Sequence, residues 1–236
     1  MTRMLASVCT LEETELALAG GADIIDLKDP ARGALGALPE PQVRTIVDQV
    51  RRRRPVSATV GDLPMDPATL VARVRRMSVT GVDYVKVGLT GEPGTEACVE
   101  ALGRLATGVR LVAVLFADRA PDLGLVARIG AAGFTGVMLD TADKRSGALP
   151  GLVSRRKLTA FLALGRNLGL VTGLAGSLRE ADVPELLALE PHYLGFRRAL
   201  CGGASRVGRL DPAALERLRG MIPAPALPAE PAGALG

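Results

Sequence analysis

The chain has 236 residues, of which 48% are hydrophobic and 23% charged, with a formal net charge of +4. That composition excludes intrinsic disorder for the bulk of the chain and supplies apolar material for one large core or two small ones. No apolar run approaches the roughly 18 residues a membrane span requires, and Met1 to Thr10 lacks a signal-peptide core ahead of Glu12 and Glu13, so a soluble, cytoplasmic protein with no membrane partner is expected.

Along the chain, short apolar runs rich in β-formers alternate with longer segments of helical period. The first strand is expected at Met4 to Val8 and the first helix at Leu11 to Ala19. Thr10 can cap that helix with Glu13 completing a capping box, and Gly20-Gly21 can close it. A second strand, Ile24 to Leu27, precedes a helix at Pro41 to Arg54, whose basic run Arg51 to Arg54 meets the helix dipole favourably. Then come Val56 to Val60 with Pro67 to Thr80, Tyr84 to Val87 with Gly94 to Ala106, and Leu111 to Leu115 with Asp122 to Ala132. Gly136 to Leu139 pairs with Ser154 to Leu168, Leu170 to Gly173 with Arg179 to Leu189, and Tyr193 to Phe196 with Pro212 to Arg219. Nearly continuous apolar strands are those of a parallel sheet covered by helices. The eight units predict α/β architecture, a single-domain (β/α)8 TIM barrel over residues 1–221. An open doubly wound sheet accepts the same alternation but seldom needs eight units. Residues 222–236, rich in Pro, Ala and Gly and without period, read as a disordered tail.

Several chemistries are disfavoured at once. Cys9, Cys98 and Cys201 are odd in number and far apart, which fits neither a disulfide framework nor a CxxC site. The single histidine, His192, removes most metal sites and any Ser-His-Asp or Cys-His mechanism that bypasses it; following Pro191 at a strand start, it reads as structural. No metal is expected. With no Trp, two Tyr and four Phe the chain has no platform on which bases could stack, so nucleic acid is not an expected partner.

Barrel enzymes carry their chemistry at the C-terminal ends of the strands. A period of two places Ile24, Asp26 and Lys28 on one face of the second strand and Ile25 and Leu27 on the other. If the apolar pair meets the helices, Asp26 and Lys28 point into the barrel mouth. The fourth strand repeats the device with Tyr84 and Lys86 inward, followed by Gly88; the sixth turns Met138 and Asp140 inward, with Asp143 and Lys144 in the loop beyond. Of 29 basic residues only Lys28, Lys86, Lys144 and Lys157 are lysines, and three of them fall at these strand ends. An amine can lose its proton and act as base or Schiff-base nucleophile, which a guanidinium cannot. Pairing with Asp26 and Asp140 is the structural alternative, and buried pairs are costly to desolvate.

Two loops suit an anion. Gly173-Leu174-Ala175-Gly176-Ser177-Leu178 follows the seventh strand, and the run from Gly195 through Arg197 and Cys201 to Gly202-Gly203 follows the eighth. Small residues let backbone N–H groups approach a phosphate, a following helix would add its positive end, and barrels commonly bind phosphate at these loops. Gly176, Ser177, Arg197, Gly202 and Gly203 are therefore the expected phosphate-binding residues, with Cys201 as a small packing residue.

The segments GGADIIDLKDPARGALGA, VSATVGDLP, GVDYVKVGL, MLDTADK and GLAGSL resemble the signature segments of the (5-formylfuran-3-yl)methyl phosphate synthase family of methanofuran biosynthesis. The resemblance runs in order from Met4 to about Arg219. It implies a barrel lyase that condenses two molecules of glyceraldehyde 3-phosphate, releasing phosphate and water. It places the Schiff-base lysine at Lys28 with Asp26 beside it, a proton-transferring group at Lys86, and further catalytic residues at Asp140 and Lys144. Condensation and eliminations account for the product's oxidation level, so no cofactor is expected. The expected partners are a small phosphorylated substrate and further copies of the chain in a homo-oligomer. Arg198, where the family pattern has glycine, and a short region from Phe116 to Asp122 depart from that pattern. Other class I aldolases or dehydratases share a lysine at a strand end, and a noncatalytic phosphate-binding barrel would tolerate arginine at every lysine.

Overall fold

The computed structural model describes residues 1–143, 146–202 and 205–223. Among these, eight strands close into a barrel in chain order: β1 Arg3–Val8, β2 Ile24–Leu27, β3 Val56–Thr59, β4 Tyr84–Leu89, β5 Leu111–Phe116, β6 Gly136–Asp140, β7 Val171–Leu174 and β8 Tyr193–Phe196. Every neighbouring pair is parallel, and β8 returns to β1 with Arg3 opposite Tyr193. The helices between them are α1 Leu11–Ala19, α2 Glu40–Val50, α3 Pro67–Ser78, α4 Thr95–Gly103, α5 Gly124–Ala131, α6 Leu149–Leu152, α7 Arg155–Asn167 and α8 Val183–Leu187, and α9 Pro212–Met221 follows β8. The predicted (β/α)8 barrel is therefore the fold.

The alternation of strand residues separates two cores. Ile25, Leu27, Val85, Val87, Val137 and Leu139 point outward into a continuous apolar layer beneath the helices, which includes Ile46, Leu70, Leu102 and Phe161. Leu5, Val112, Val114, Phe116, Met138 and Tyr193 fill the barrel interior as a separate cluster. Inward positions nearer the C-terminal rim become polar: Ser7, Asp26, Ser57, Thr59, Lys86 and Asp140 are all buried.

Differences from the predicted boundaries have local causes. The second helix stops at Val50 because Arg51 and Arg52 turn left-handed, at φ 50° and 59°, which ends the helical run before its basic residues. Arg53 then pairs with Glu15, and Arg54 donates to the carbonyl of Ala22. Helix α8 is shorter than expected, since Pro184 lies in its first turn and a single 3-10 turn at Glu180–Asp182 precedes it. Thr10 accepts from the Glu13 N–H as a cap, but the Glu13 carboxylate takes the N–H of Cys9 instead of closing the box. His192 receives the Thr172 N–H on Nδ1 at 2.9 Å at the barrel's far end, as its structural reading expects. Ile222 is fully buried, and the tail from residue 224 onward lies outside the described residues.

Candidate active site

The β2 motif folds as a strand end followed by a tight loop that roofs the barrel. Asp29 accepts the N–H of Ala31 and starts a 3-10 turn at Pro30–Arg32, and its own N–H returns to the Gly36 carbonyl at 2.8 Å. Leu35 is thereby pushed down into the barrel interior, fully buried. Asp62, from the segment after β3, accepts the Leu35 N–H, and Gly33 at φ 108° leaves that carboxylate its room, because a Cβ there would lie 2.0 Å from Asp62 Oδ2. Gly88 in β4 is small for a related reason, a Cβ coming to 2.8 Å of Leu35 Cδ1. The glycines of two sequence motifs thus build one roof beside the lysines.

Beneath and beside that roof lie the charged residues. Asp26 is fully buried and accepts from Lys86 Nζ at 3.0 Å, from Ser57 Oγ at 2.6 Å and from Ser7 Oγ at 2.9 Å. Register explains the two serines, since Ser7 and Ser57 flank Asp26 directly across the sheet. Burial pushes the Asp26 carboxyl up, but Lys86, Lys28 and Ser57 together hold it below the usual carboxylate range. Lys28 Nζ stands 3.6 Å from Asp140 Oδ2, and the other oxygen of Asp140 accepts the Thr141 N–H at 2.7 Å. Tyr193 is buried in the same interior, its ring filling the space that a side chain on Gly173 would need. Burial first, and then the Asp26 and Asp140 carboxylates, push its phenol far up, so it keeps its proton.

One cleft gathers Asp26, Lys28, Lys86, Asp140, Gly176, Ser177 and Arg197. Gly176 at φ 106° and Ser177 at φ 50° make the tight turn after β7. A Cβ at Gly176 would meet Thr141, so the loops after β6 and β7 pack directly on one another. Gly202 does not line the cleft: it is exposed, and its N–H is bonded to the Arg209 carbonyl at 3.2 Å. Lys144 and Gly203 lie outside the described residues. The segment after β8 begins with a single 3-10 turn at Arg198–Leu200, too short for the anticipated helix dipole to develop, and after β7 the turn at Glu180–Asp182 leads into the short α8.

Arg197 corrects an expectation. Its Nε donates to the Arg206 carbonyl, one Nη to the Ser7 carbonyl and to Glu13, and the other Nη to Glu13 and the Gly208 carbonyl. All five N–H donors are used within the protein, so a phosphate could be gripped only by breaking a buried ion pair. Arg197 instead ties the β8 loop to β1 and α1, and its partner Glu13 had read as an ordinary capping residue. Cys201 is buried against the Arg197 and Gly208 carbonyls, as a packing residue should be.

The residues in or around the cleft to which the sequence assigned no part there are Ser7, Ser57, Glu13, Tyr193 and Arg206. The serines had a signal, polar residues at inward positions of otherwise apolar strands, whereas Glu13 and Arg206 had none. The short segment after β5 also has a role: Asp118 accepts the N–H groups of Ala142 and Asp143 at 2.8 and 2.7 Å and so props the loop after β6. Among the described residues no helix is long and apolar enough to cross a membrane.

Comparison with known proteins agrees with the motifs. Among solved structures, phosphoribosyl anthranilate isomerase from Thermus thermophilus superposes with a TM-score of 0.66 at 18% identity, over 93% of this chain and 98% of that one. A 3-hexulose-6-phosphate synthase gives 0.61 at 19%, over 94% and 100%. At such identities the likeness concerns the fold alone. A protein of Methylorubrum extorquens named "Putative (5-formylfuran-3-yl)methyl phosphate synthase" is 42% identical over 212 residues, 89% of this chain and 86% of its own length. A (5-formylfuran-3-yl)methyl phosphate synthase of Methanocaldococcus jannaschii is 34% identical over 229 residues, 92% of this chain and 97% of its own. The family profile described as 4-HFC-P synthase matches residues 4–219, which is the whole barrel, and the chain belongs to that family.

Proposed function

We propose that the protein is a (5-formylfuran-3-yl)methyl phosphate synthase of methanofuran-type biosynthesis, condensing two molecules of glyceraldehyde 3-phosphate through a Schiff base on Lys28. The observation that carries this reading is the meeting of two buried lysines and two carboxylates at one barrel mouth, Lys28 with Asp140 and Lys86 with Asp26. Family membership supplies the product class.

The residues divide the work by their surroundings. Asp26 is spent on Lys86 and two serine hydroxyls, so it serves as a fixed anion that orients Lys86. Among the described residues Lys28 has the longer ion-pair contact, 3.6 Å to Asp140, and it faces the cleft, which suits a nucleophile. Its neutral amine adds to the aldehyde carbon and water leaves, giving an iminium that acidifies the neighbouring C–H. Asp140 takes that proton to form the enamine, and Lys86 protonates departing oxygens. The enamine expels phosphate to leave a conjugated iminium, and the second molecule, as its enediol, adds through C2 to the terminal carbon so freed. Ring closure, dehydration and hydrolysis from Lys28 follow. One phosphate and two waters leave per pair of substrates, which balances the atoms without a net change in oxidation level.

The test is incubation with glyceraldehyde 3-phosphate, with mass analysis of the product. A furan aldehyde phosphate is the expected product, whereas a hexose bisphosphate with no release of phosphate would indicate an ordinary aldolase. Borohydride with substrate should leave a mass adduct on the peptide containing Lys28. Lys28→Arg keeps the positive charge but is a very poor nucleophile, so it should yield neither adduct nor product; retained turnover would remove Lys28 from the role.

A further inference from the structure

With Arg197 committed to Glu13, the cleft needs another cation for a phosphate, and Arg206 is placed to be it. Arg206 comes from the segment after β8 and reaches across the barrel mouth to line the same cleft as Lys28, Asp140, Gly176 and Ser177. Its Nε donates to the Pro30 carbonyl at 3.1 Å, and one Nη donates to the carbonyls of Pro30 and Gly33. The other Nη makes no hydrogen bond among the described residues. Neither does a carboxylate stand within ion-pair distance of Arg206 among them. The guanidinium is half-buried, and burial works against its charge, with Asp140 opposing from farther off. A cation partly withdrawn from water and held only by neutral carbonyls lacks its counter-charge.

We propose that Arg206 binds the phosphate of the aldehyde that reacts at Lys28, and that through Pro30 and Gly33 it ties phosphate binding to the loop that follows Lys28. The inference rests on the Schiff-base reading for the identity of the substrate, but its phosphate site stands on geometry alone. The fork suits this double task, because the edge bearing Nε and one Nη is latched to the roof while the remaining Nη is left for an anion from the Ser177 side. A phosphorylated aldehyde would then be favoured over its unphosphorylated analogue by binding energy used at a distance from the reacting carbon.

The test has two arms on the full chain. Inorganic phosphate binding is measured by calorimetry on wild type, Arg206→Ala, Arg206→Gln and Arg209→Ala. Arg209 is 88% exposed along its side chain and serves as a charge control on the same segment. Losing a charge-assisted contact should weaken binding by about tenfold or more in both Arg206 variants, and Arg209→Ala should bind as wild type does. Arg206→Gln retains N–H donors for the roof carbonyls, so it separates lost charge from a loosened loop and serves if the alanine variant fails to fold. In the second arm, borohydride trapping compares glyceraldehyde 3-phosphate with unphosphorylated glyceraldehyde; the wild-type preference for the phosphorylated aldehyde should collapse in the Arg206 variants. Unchanged phosphate binding in Arg206→Gln, or no phosphate binding by wild type, overturns the proposal. Failure of wild type to trap any adduct defeats the Schiff-base reading instead, and the calorimetry still judges Arg206.

Discussion

Glu13 and Arg197 face each other as a buried bidentate pair at 2.7 and 3.0 Å. Burial pushes the Glu13 carboxyl up, but Arg197 and the Cys9 N–H pull it further down, below the ordinary carboxylate range. Asp26 behaves likewise. A carboxyl with a lowered folded-state value is protonated first in the unfolded chain. The stability it contributes is complete above the unfolded value of about 4 and disappears as pH falls through the lowered value. Glu13→Gln should therefore cost about 3 kcal/mol at pH 7, because Arg197 stays buried without its counter-ion, and should flatten the acid side of the stability profile. Urea denaturation from pH 7 down to pH 3 checks both, and an unchanged acid limb would mean that the pair contributes nothing there.

At the scale of elements, the roof after β2 depends on Gly36, whose close neighbours include backbone. A Cβ on Gly36 would lie 2.3 Å from the Asp29 carbonyl oxygen and 2.9 Å from the Arg32 carbonyl carbon, neither of which can turn aside as a side chain could. Gly36→Ala should open the turn that follows Lys28, costing about 1–3 kcal/mol and, by misplacing the amine, about 100-fold in turnover. Gly220 in α9 has nothing within 4 Å of its missing Cβ, so Gly220→Ala should leave turnover unchanged and stabilise slightly. Steady-state kinetics on the pair test whether the loop, and not glycine replacement as such, sets activity.

For the whole molecule, the division into two cores separates stability from chemistry. Phe161 of α7 is fully buried in the layer between helices and barrel, whereas the lysines and carboxylates line the inside of the barrel. Phe161→Ala should remove about 3–5 kcal/mol and lower the melting temperature, while the folded fraction keeps its turnover. Thermal unfolding together with kinetics well below the transition checks this; a matching loss of turnover would show that the layers are mechanically coupled.

The fold was legible because each strand is a nearly continuous apolar run and the period of two is strict, so the outward faces of β2, β4 and β6 could be assigned from the residues alone. Lys28, Lys86, Asp26 and Asp140 followed from that period, as polar residues on the opposite face at strand ends. Which lysine takes which carboxylate did not follow. Lys86 comes from 60 positions beyond Asp26, and the register of a closed barrel, not local sequence, sets that contact. The role of Arg197 was hidden for the same reason, since its partner Glu13 is 184 positions away and reads locally as a helix cap. Arg206 sits in a segment without periodicity, so only closure of the barrel, which sets the loops after β8 and β2 on either side of β1, decided that its guanidinium reaches the mouth. Periodicity is local and survives in one dimension, whereas pairing among charges at the rim depends on which strands become neighbours when the sheet closes.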